Sequence, residues 1–217
     1  MDDLYHAPVE KERRRLQGFY TFFRVVLGPF LRPSFHGTPY TPKSSSYLLL
    51  ANHNTDMDPL YLGLNFPRVM RFVASEHLFR KGFLSRALVW LVDPIPRKKG
   101  ERGDAAMQLI EASLADGRCV ALFPEGNRSF DGVSGYISPR TAQLAKDGKC
   151  ALITYRFEGG YLHSPRWSAH KRRGRIRGGV VREYSREELD ALSVAEIFQA
   201  IKTDLYTNAY EEQRQEP

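Results

Sequence analysis

His53 and Asp58 place an imidazole and a carboxylate five residues apart, in Asn52-His53-Asn54-Thr55-Asp56-Met57-Asp58, just past the apolar run Tyr47–Ala51. An imidazole titrates near neutrality, and a neighbouring carboxylate can fix its tautomer, so the pair has the makings of a general base. Asp58 is one candidate to orient the ring and Asp56 another. Asp58 followed by Pro59 also reads as a helix N-cap with proline at the first helical position. The two duties are compatible, since one oxygen can cap while the other holds the imidazole. A second polar turn, Phe123-Pro124-Glu125-Gly126-Asn127-Arg128-Ser129, follows Cys119–Leu122. It combines a carboxylate, a flexible glycine and a guanidinium, the natural bidentate partner of a phosphate; an Arg–Glu surface pair around a turn glycine is the alternative. A third cationic turn, Arg97-Lys98-Lys99-Gly100, follows Pro94-Ile95-Pro96 and is either a solvated turn or a further phosphate ligand. Ligands of open α/β sheets gather at the carboxyl ends of strands. Polar turns after separate strand-like runs therefore predict one active site assembled from several loops.

The elements that must position these residues follow from periodicity. Strand-like runs recur at Tyr47–Ala51, 68–75, 118–123, 150–157 and 175–182, with helical patterns at 59–65, 78–91, 101–116 and 138–147 between them. Asp116-Gly117 supplies a helix stop. The tail over 185–210 reads as one or two helices, with Ser185 and Ser193 as caps and Glu196 in the first turn of the second. Residues 10–27 form a helix whose aromatic load exceeds one face and whose start carries Arg13, Arg14 and Arg15; such a helix suits an interfacial membrane anchor, or packs on the core with its arginines solvated. The stretch 28–42, with four prolines and two glycines, reads as an irregular connector. The expected fold is α/β: a single domain with a central mixed, largely parallel sheet flanked by helices, plus an N-terminal amphipathic helix. The expected division is a membrane-associating helix and connector over 1–33, then a catalytic domain with C-terminal helices over 34–217.

Composition narrows the partners. A hydrophobic content of 42% supports a real core, and 32 Lys+Arg against 25 Asp+Glu give a net charge of +7. That balance favours anionic partners. The densest positive segment, 170–177, suits an anionic surface such as a bilayer, or is a solvated loop; nucleic acid is a formal alternative unsupported by any accompanying motif. Cys119 and Cys150 lie in apolar runs and read as buried free thiols of a reducing compartment, and no Cys/His metal framework is visible. The opening Met1-Asp2-Asp3 is unlike a signal peptide. No run reaches the ~18 apolar residues of a spanning helix, the longest being broken by Arg24, Gly28 and Pro29. The expected location is peripheral or monotopic, at the cytoplasmic face of a membrane.

Asn52-His53 with Asp58, then Pro96-Arg97, then Phe123-Pro124-Glu125-Gly126-Asn127-Arg128-Ser129, in this order, resemble the lysophospholipid acyltransferase family, whose best-known members are 1-acylglycerol-3-phosphate acyltransferases. The resemblance covers roughly residues 35–182. The His-Asp element alone is nonspecific; joined to the Phe-Pro-Glu-Gly turn it is strong. It implies that His53, held by Asp58, deprotonates the free hydroxyl of lysophosphatidic acid, which attacks an acyl-CoA or acyl-carrier-protein thioester to give phosphatidic acid. It implies an acceptor site of Arg97, Glu125, Gly126 and Arg128, no metal and no cofactor beyond the acyl thioester. The partners it implies are the lysophospholipid, the thioester, an anionic membrane surface and, for some donors, an acyl-carrier protein, with no nucleic acid. A different lipid acceptor is the first alternative, and a non-catalytic lipid or nucleic-acid binding module the second. Three departures bear on the acceptor: Asn127 stands where the family usually has Thr, the element before Arg97 is shortened, and the fourth element, 151–155, lacks the usual proline.

Overall fold

Tyr47-Leu48-Leu49-Leu50-Ala51 is apolar at every position, as a strand covered on both faces must be. The computed structural model describes residues 10–26, 28–31, 35–75, 93–97, 104–170, 172 and 175–215. It buries all five residues of this strand (β2) inside a seven-stranded sheet. The other strands are β1 (Phe35–Gly37), β3 (Met70–Ser75), β4 (Ile95–Arg97), β5 (Cys119–Leu122), β6 (Ala151–Glu158) and β7 (Ile176–Tyr184), in spatial order β1-β7-β6-β2-β5-β3-β4. The five strands from β6 to β4 are mutually parallel, β7 runs antiparallel to β6, and β1 pairs parallel with β7. The sheet is thus mixed and largely parallel, as the sequence pattern predicts.

Alternation along the strands divides the core. Leu48 and Leu50, with Val120 and Leu152, face helices α4 (Asp104–Ala115), α5 (Arg140–Asp147), α7 (Arg186–Ala191) and α8 (Val194–Leu205), which contribute Ile110, Leu144, Leu189 and Ile201. Tyr47, Leu49 and Ala51, with Ala121 and Ile153, face the opposite side, where α3 (Asp58–Asn65) lays down Tyr61, Leu62 and Leu64. The N-terminal helix α1 (Glu10–Val26) docks through buried Leu16 and Tyr20. Its Gln17 accepts from the Val69 amide (2.9 Å) and donates to the Pro67 carbonyl (3.0 Å). Phe22, Val25 and Val26 stay exposed, so the helix is packed on one face and apolar on another.

The connections place the site. From β2 the chain crosses by α3 to β3, on one side of β5; from β5 it crosses by α5 to β6, on the far side of β2. These two crossovers leave in opposite directions and cover opposite faces. The crevice between the ends of β2 and β5 is therefore a topological switch point, where doubly wound sheets admit ligands. The segments leaving those strands are the His53 loop and the Glu125 turn.

Several expectations are refined. The stretch 28–42 is not wholly irregular: it holds a short helix, α2 (Gly28–Leu31), and the edge strand β1, because β1 gains its ladder from β7 rather than from its own sequence pattern. Strand β4, too short to show periodicity, is stabilised the same way by β3. The helix begins at Asp58, with Met57 in the cap position and no side-chain cap, so Asp58 is not the N-cap. Both C-terminal helices, α7 and α8, start in full capping boxes, Ser185–Glu188 and Ser193–Glu196. A further helix, α9 (Ala209–Gln215), extends the tail. The helix expected over 78–91 lies outside the described residues, as do Lys98, Lys99, Gly100, Lys171, Arg173 and Gly174.

Candidate active site

β2 ends at Ala51, and the next residue fixes the loop. Asn52 is fully buried, donating through its amide nitrogen to the Phe157 carbonyl (2.9 Å) and accepting from the Phe157 amide (2.7 Å), so its side chain continues the β2–β6 ladder. His53 follows at the open end. Its Nδ1 lies 2.8 Å from Asp58 Oδ2, with the Asp58 carboxylate wholly buried and the His53 ring 19% exposed. The same Oδ2 accepts from the amides of Asn54 (2.7 Å) and Thr55 (2.9 Å), and Oδ1 accepts from the Thr55 hydroxyl (2.5 Å). A buried carboxylate satisfied this fully cannot swing away, and it offers Nδ1 only lone pairs. The proton therefore sits on Nδ1, leaving the Nε2 lone pair for a substrate. The ring also stacks on Phe123 at the end of β5, with centroids 4.2 Å apart and planes 20° apart.

The second turn is tied to the first. Glu125 Oε1 accepts from the His53 amide (3.1 Å), and Oε2 from the Gly135 amide (2.7 Å). Burial pushes its pKa above the ordinary glutamate value, a shift moderated by these two amides. The Ser129 amide donates to the His53 carbonyl (2.9 Å). Both backbone groups of His53 are thus engaged by the turn after β5, and Glu125 braces the one loop against the other.

Two arginines border the same turn. Gly126 has φ +68°, and a Cβ placed there would lie 2.5 Å from Arg97 Nη1. Only glycine combines that backbone conformation with so close an approach. Arg97, at the end of β4, is thereby laid over the Gly126 turn. The start of β4 is anchored by Asp93, which accepts from Arg71 Nη2 (3.2 Å) and Arg118 Nη1 (3.2 Å). Arg128 Nη1 pairs with Asp56 Oδ2 at 3.0 Å; the guanidinium is 23% exposed and the carboxylate 79%. Asp56 is therefore the partner of Arg128, not a second orienter of His53, and Arg128 is not paired with Glu125. That ion pair across two loops was not readable from sequence, because nothing local links residues so far apart in the chain.

His53, Asp58, Arg97, Glu125, Gly126 and Arg128 are all brought to this one end of the sheet. A protein-family model described as Acyltransferase matches residues 32–168, which is more than half of the chain. The chain belongs to the acyltransferase family. One curated relative, the 1-acyl-sn-glycerol-3-phosphate acyltransferase of Borreliella burgdorferi, is 28% identical over 97 residues, covering 44% of this chain and 39% of that protein's own length. A solved structure, the 1-acyl-sn-glycerophosphate (LPA) acyltransferase PlsC from Thermotoga maritima, is similar with a TM-score of 0.72 at 16% identity, covering 100% of this chain and 87% of that one. The acyltransferase fold is thus shared across a wide sequence distance. The matched family segment contains all six residues above.

Proposed function

We propose that this protein is an O-acyltransferase that moves a fatty acyl group from an acyl-CoA or acyl-carrier-protein thioester to the free hydroxyl of 1-acylglycerol-3-phosphate, giving phosphatidic acid. The observation that carries the reading is the His53–Asp58 pair, 2.8 Å apart on a carboxylate with no other freedom. His53 Nε2 takes the proton of the acceptor hydroxyl as its oxygen attacks the thioester carbonyl. The tetrahedral intermediate collapses, the C–S bond breaks, and the thiolate leaves, taking up a proton from the imidazolium or from water. No acyl-enzyme is needed. Arg128 and Arg97 hold the acceptor's phosphate, Arg128 by exchanging the exposed Asp56 carboxylate for it. Gly126, having no Cβ, leaves the room that Arg97 occupies, and Glu125 braces the turn against the His53 loop.

The relatives' names support the choice of lysophosphatidic acid, and the two arginines at the Gly126 turn, Arg97 against Gly126 and Arg128 two residues on, suit its phosphate. The test compares lysophosphatidic acid with its dephosphorylated analogue, monoacylglycerol, as acceptors. The parent should strongly prefer the phosphorylated acceptor, and Arg128→Ala should lose most of that preference. Equal rates on both acceptors would transfer the reading to another lipid.

Location follows as part of the same proposal. Residues 1–33 associate peripherally with the cytoplasmic face of an anionic membrane, and 34–217 carry the chemistry. Among the described residues no helix is long and apolar enough to cross a membrane. The exposed Phe22, Val25, Val26 and Phe30 of α1 and α2 supply apolar side chains for the acyl boundary.

A further inference from the structure

Large exposed apolar side chains are costly to leave in water, and their grouping carries information. Besides those of α1 and α2, Phe130, Tyr136, Trp167, Tyr206 and Tyr210 are 47% to 78% exposed. They belong to three segments remote in sequence: the loop after Ser129, the loop after α6 (Gly160–His163), and the junction of α8 with α9. Those segments are stitched together. The Ala209 amide donates to the Gly132 carbonyl (2.8 Å) and the Ser134 amide to the Thr207 carbonyl (2.9 Å). Gly132, at φ +87°, leaves so little room that a Cβ would lie 2.6 Å from the Tyr161 ring and 2.8 Å from Ala209 Cβ. Trp167 Nε1 donates to the Tyr161 hydroxyl (3.3 Å).

The stitched loops adjoin the site. Ser129 and Gly135 bond the His53 carbonyl and Glu125, Asn52 donates to the Thr207 hydroxyl (3.3 Å), and a Cβ on Gly160 would lie 2.8 Å from Asn54 Cβ. Cations accompany the aromatics. The Arg172 guanidinium lies 5.8 Å over the Trp167 ring. Arg166, Arg175 and Arg177 are exposed, and Arg177 pairs in register with Glu158 at the carboxyl end of β6, the site's end of the sheet. The acids on these loops are Asp131, turned back to the Val133 amide (3.2 Å), and Glu211 and Glu212, which accept from the Asn208 side chain (3.0 Å) and the Gly159 amide (2.9 Å).

We propose that these three loops form a second membrane-docking surface, an aromatic and basic rim that seats the mouth of the site in the interface of an anionic bilayer, separately from α1. Tyrosine and tryptophan, with an apolar body and a polar tip, settle at the headgroup level, and arginines beside them reach lipid phosphates. An acidic carrier protein would match the arginines but leave most of the aromatics without an apolar counterpart. This deepens the proposed membrane association and is read by binding without turnover, so its failure is distinguishable from failure of acyl transfer.

The chain has two tryptophans, so Trp90→Phe leaves Trp167 as the only emitter. With vesicles of equimolar phosphatidylcholine and phosphatidylglycerol, Trp167 emission should shift to the blue and be quenched by brominated acyl chains. In the otherwise unchanged full chain, Tyr136→Ser with Tyr210→Ser should weaken vesicle co-sedimentation about tenfold or more, equivalent to ~1.4 kcal/mol, at an unchanged melting temperature. This second measurement stands even if Trp90→Phe fails to fold. Vesicle binding with unaltered Trp167 emission and parent-like binding of the double variant would overturn the proposal in favour of α1 and α2 alone. A Trp167 response to acyl-carrier protein but not to vesicles would overturn it in favour of a protein partner.

Discussion

His53 is held on three sides, whereas Arg128 leans on a carboxylate that is 79% exposed. The imidazole has Asp58 on Nδ1, Phe123 against its face, and Glu125 and Ser129 on its own backbone. Every one of these partners is buried or half-buried. The guanidinium half of the site is built from side chains that can move: Arg97 lies across a glycine, and Arg128 rests on Asp56. The difference fits the two proposed tasks. A general base must be aimed before the reaction, since misplacement by about 1 Å can cost a hundredfold. A phosphate ligand must first let the substrate in, and a surface ion pair worth only ~0–1 kcal/mol is easily exchanged.

The contrast breaks first at Asp58. Asp58→Asn presents an N–H where His53, Asn54 and Thr55 all donate, so kcat should fall by roughly 10²–10⁴-fold with KM little changed. Unfolding should become easier by about 1–3 kcal/mol, read by urea melts. A variant whose KM alone rose would mean that Asp58 serves substrate binding instead. Next, Arg128→Ala should raise KM for lysophosphatidic acid by about tenfold or more, the worth of a charged hydrogen bond, with kcat less affected. Arg128→Lys should restore only part of it, because an ammonium cannot make the bidentate contact. Equal KM values for all three proteins would remove Arg128 from the acceptor site. Gly126→Ala should cost about 1–2 kcal/mol of stability for a left-handed residue with a side chain, and should displace Arg97. Asp56→Ala should be the mildest, changing KM by about fivefold or less; a collapse of kcat would show that Asp56 shares the work of Asp58.

Glu125 gives the same comparison a pH dependence. Its folded pKa is raised above the ordinary glutamate value by burial, so the native state binds more protons than the unfolded chain in the window just above that ordinary value. The contribution of Glu125 to stability is full below that window and is lost as pH rises through the folded pKa. Replacing it by Gln should remove that downward slope, so the parent loses stability relative to the variant as pH rises. A stability difference that stays flat with pH would contradict the shift.

Chemistry written locally was legible. The five-residue spacing of His53 and Asp58, the all-apolar β2, the Asp116-Gly117 stop and the two serine caps each express an interaction within a few residues, and each appears where the pattern placed it. Features that depend on distant pairing were not legible. β1 exists because β7 offers an edge, β4 because β3 does. The Asp58–Pro59 dipeptide looks like a cap, yet the carboxylate turns back to the Asn54 and Thr55 amides and the imidazole instead. Asp56 looked equivalent to Asp58, and only the fold shows that Arg128 arrives beside it. Glu125 as the brace of the His53 backbone is likewise a fact of β5 lying next to β2.

The proposed chemistry stands or falls with a prealigned His53 as the general base of acyl transfer. The most direct test is thiol release from acyl-CoA, and from acyl-carrier protein, by the parent and by His53→Ala with lysophosphatidic acid present or absent. Because Cys119 and Cys150 are buried with raised thiol pKa values, the protein itself should add little signal to a thiol reagent. The parent should show acceptor-dependent release, and the variant a loss of roughly 10²–10⁴-fold. A His53→Ala protein that turned over within about tenfold of the parent, below the usual worth of a general base, would contradict it.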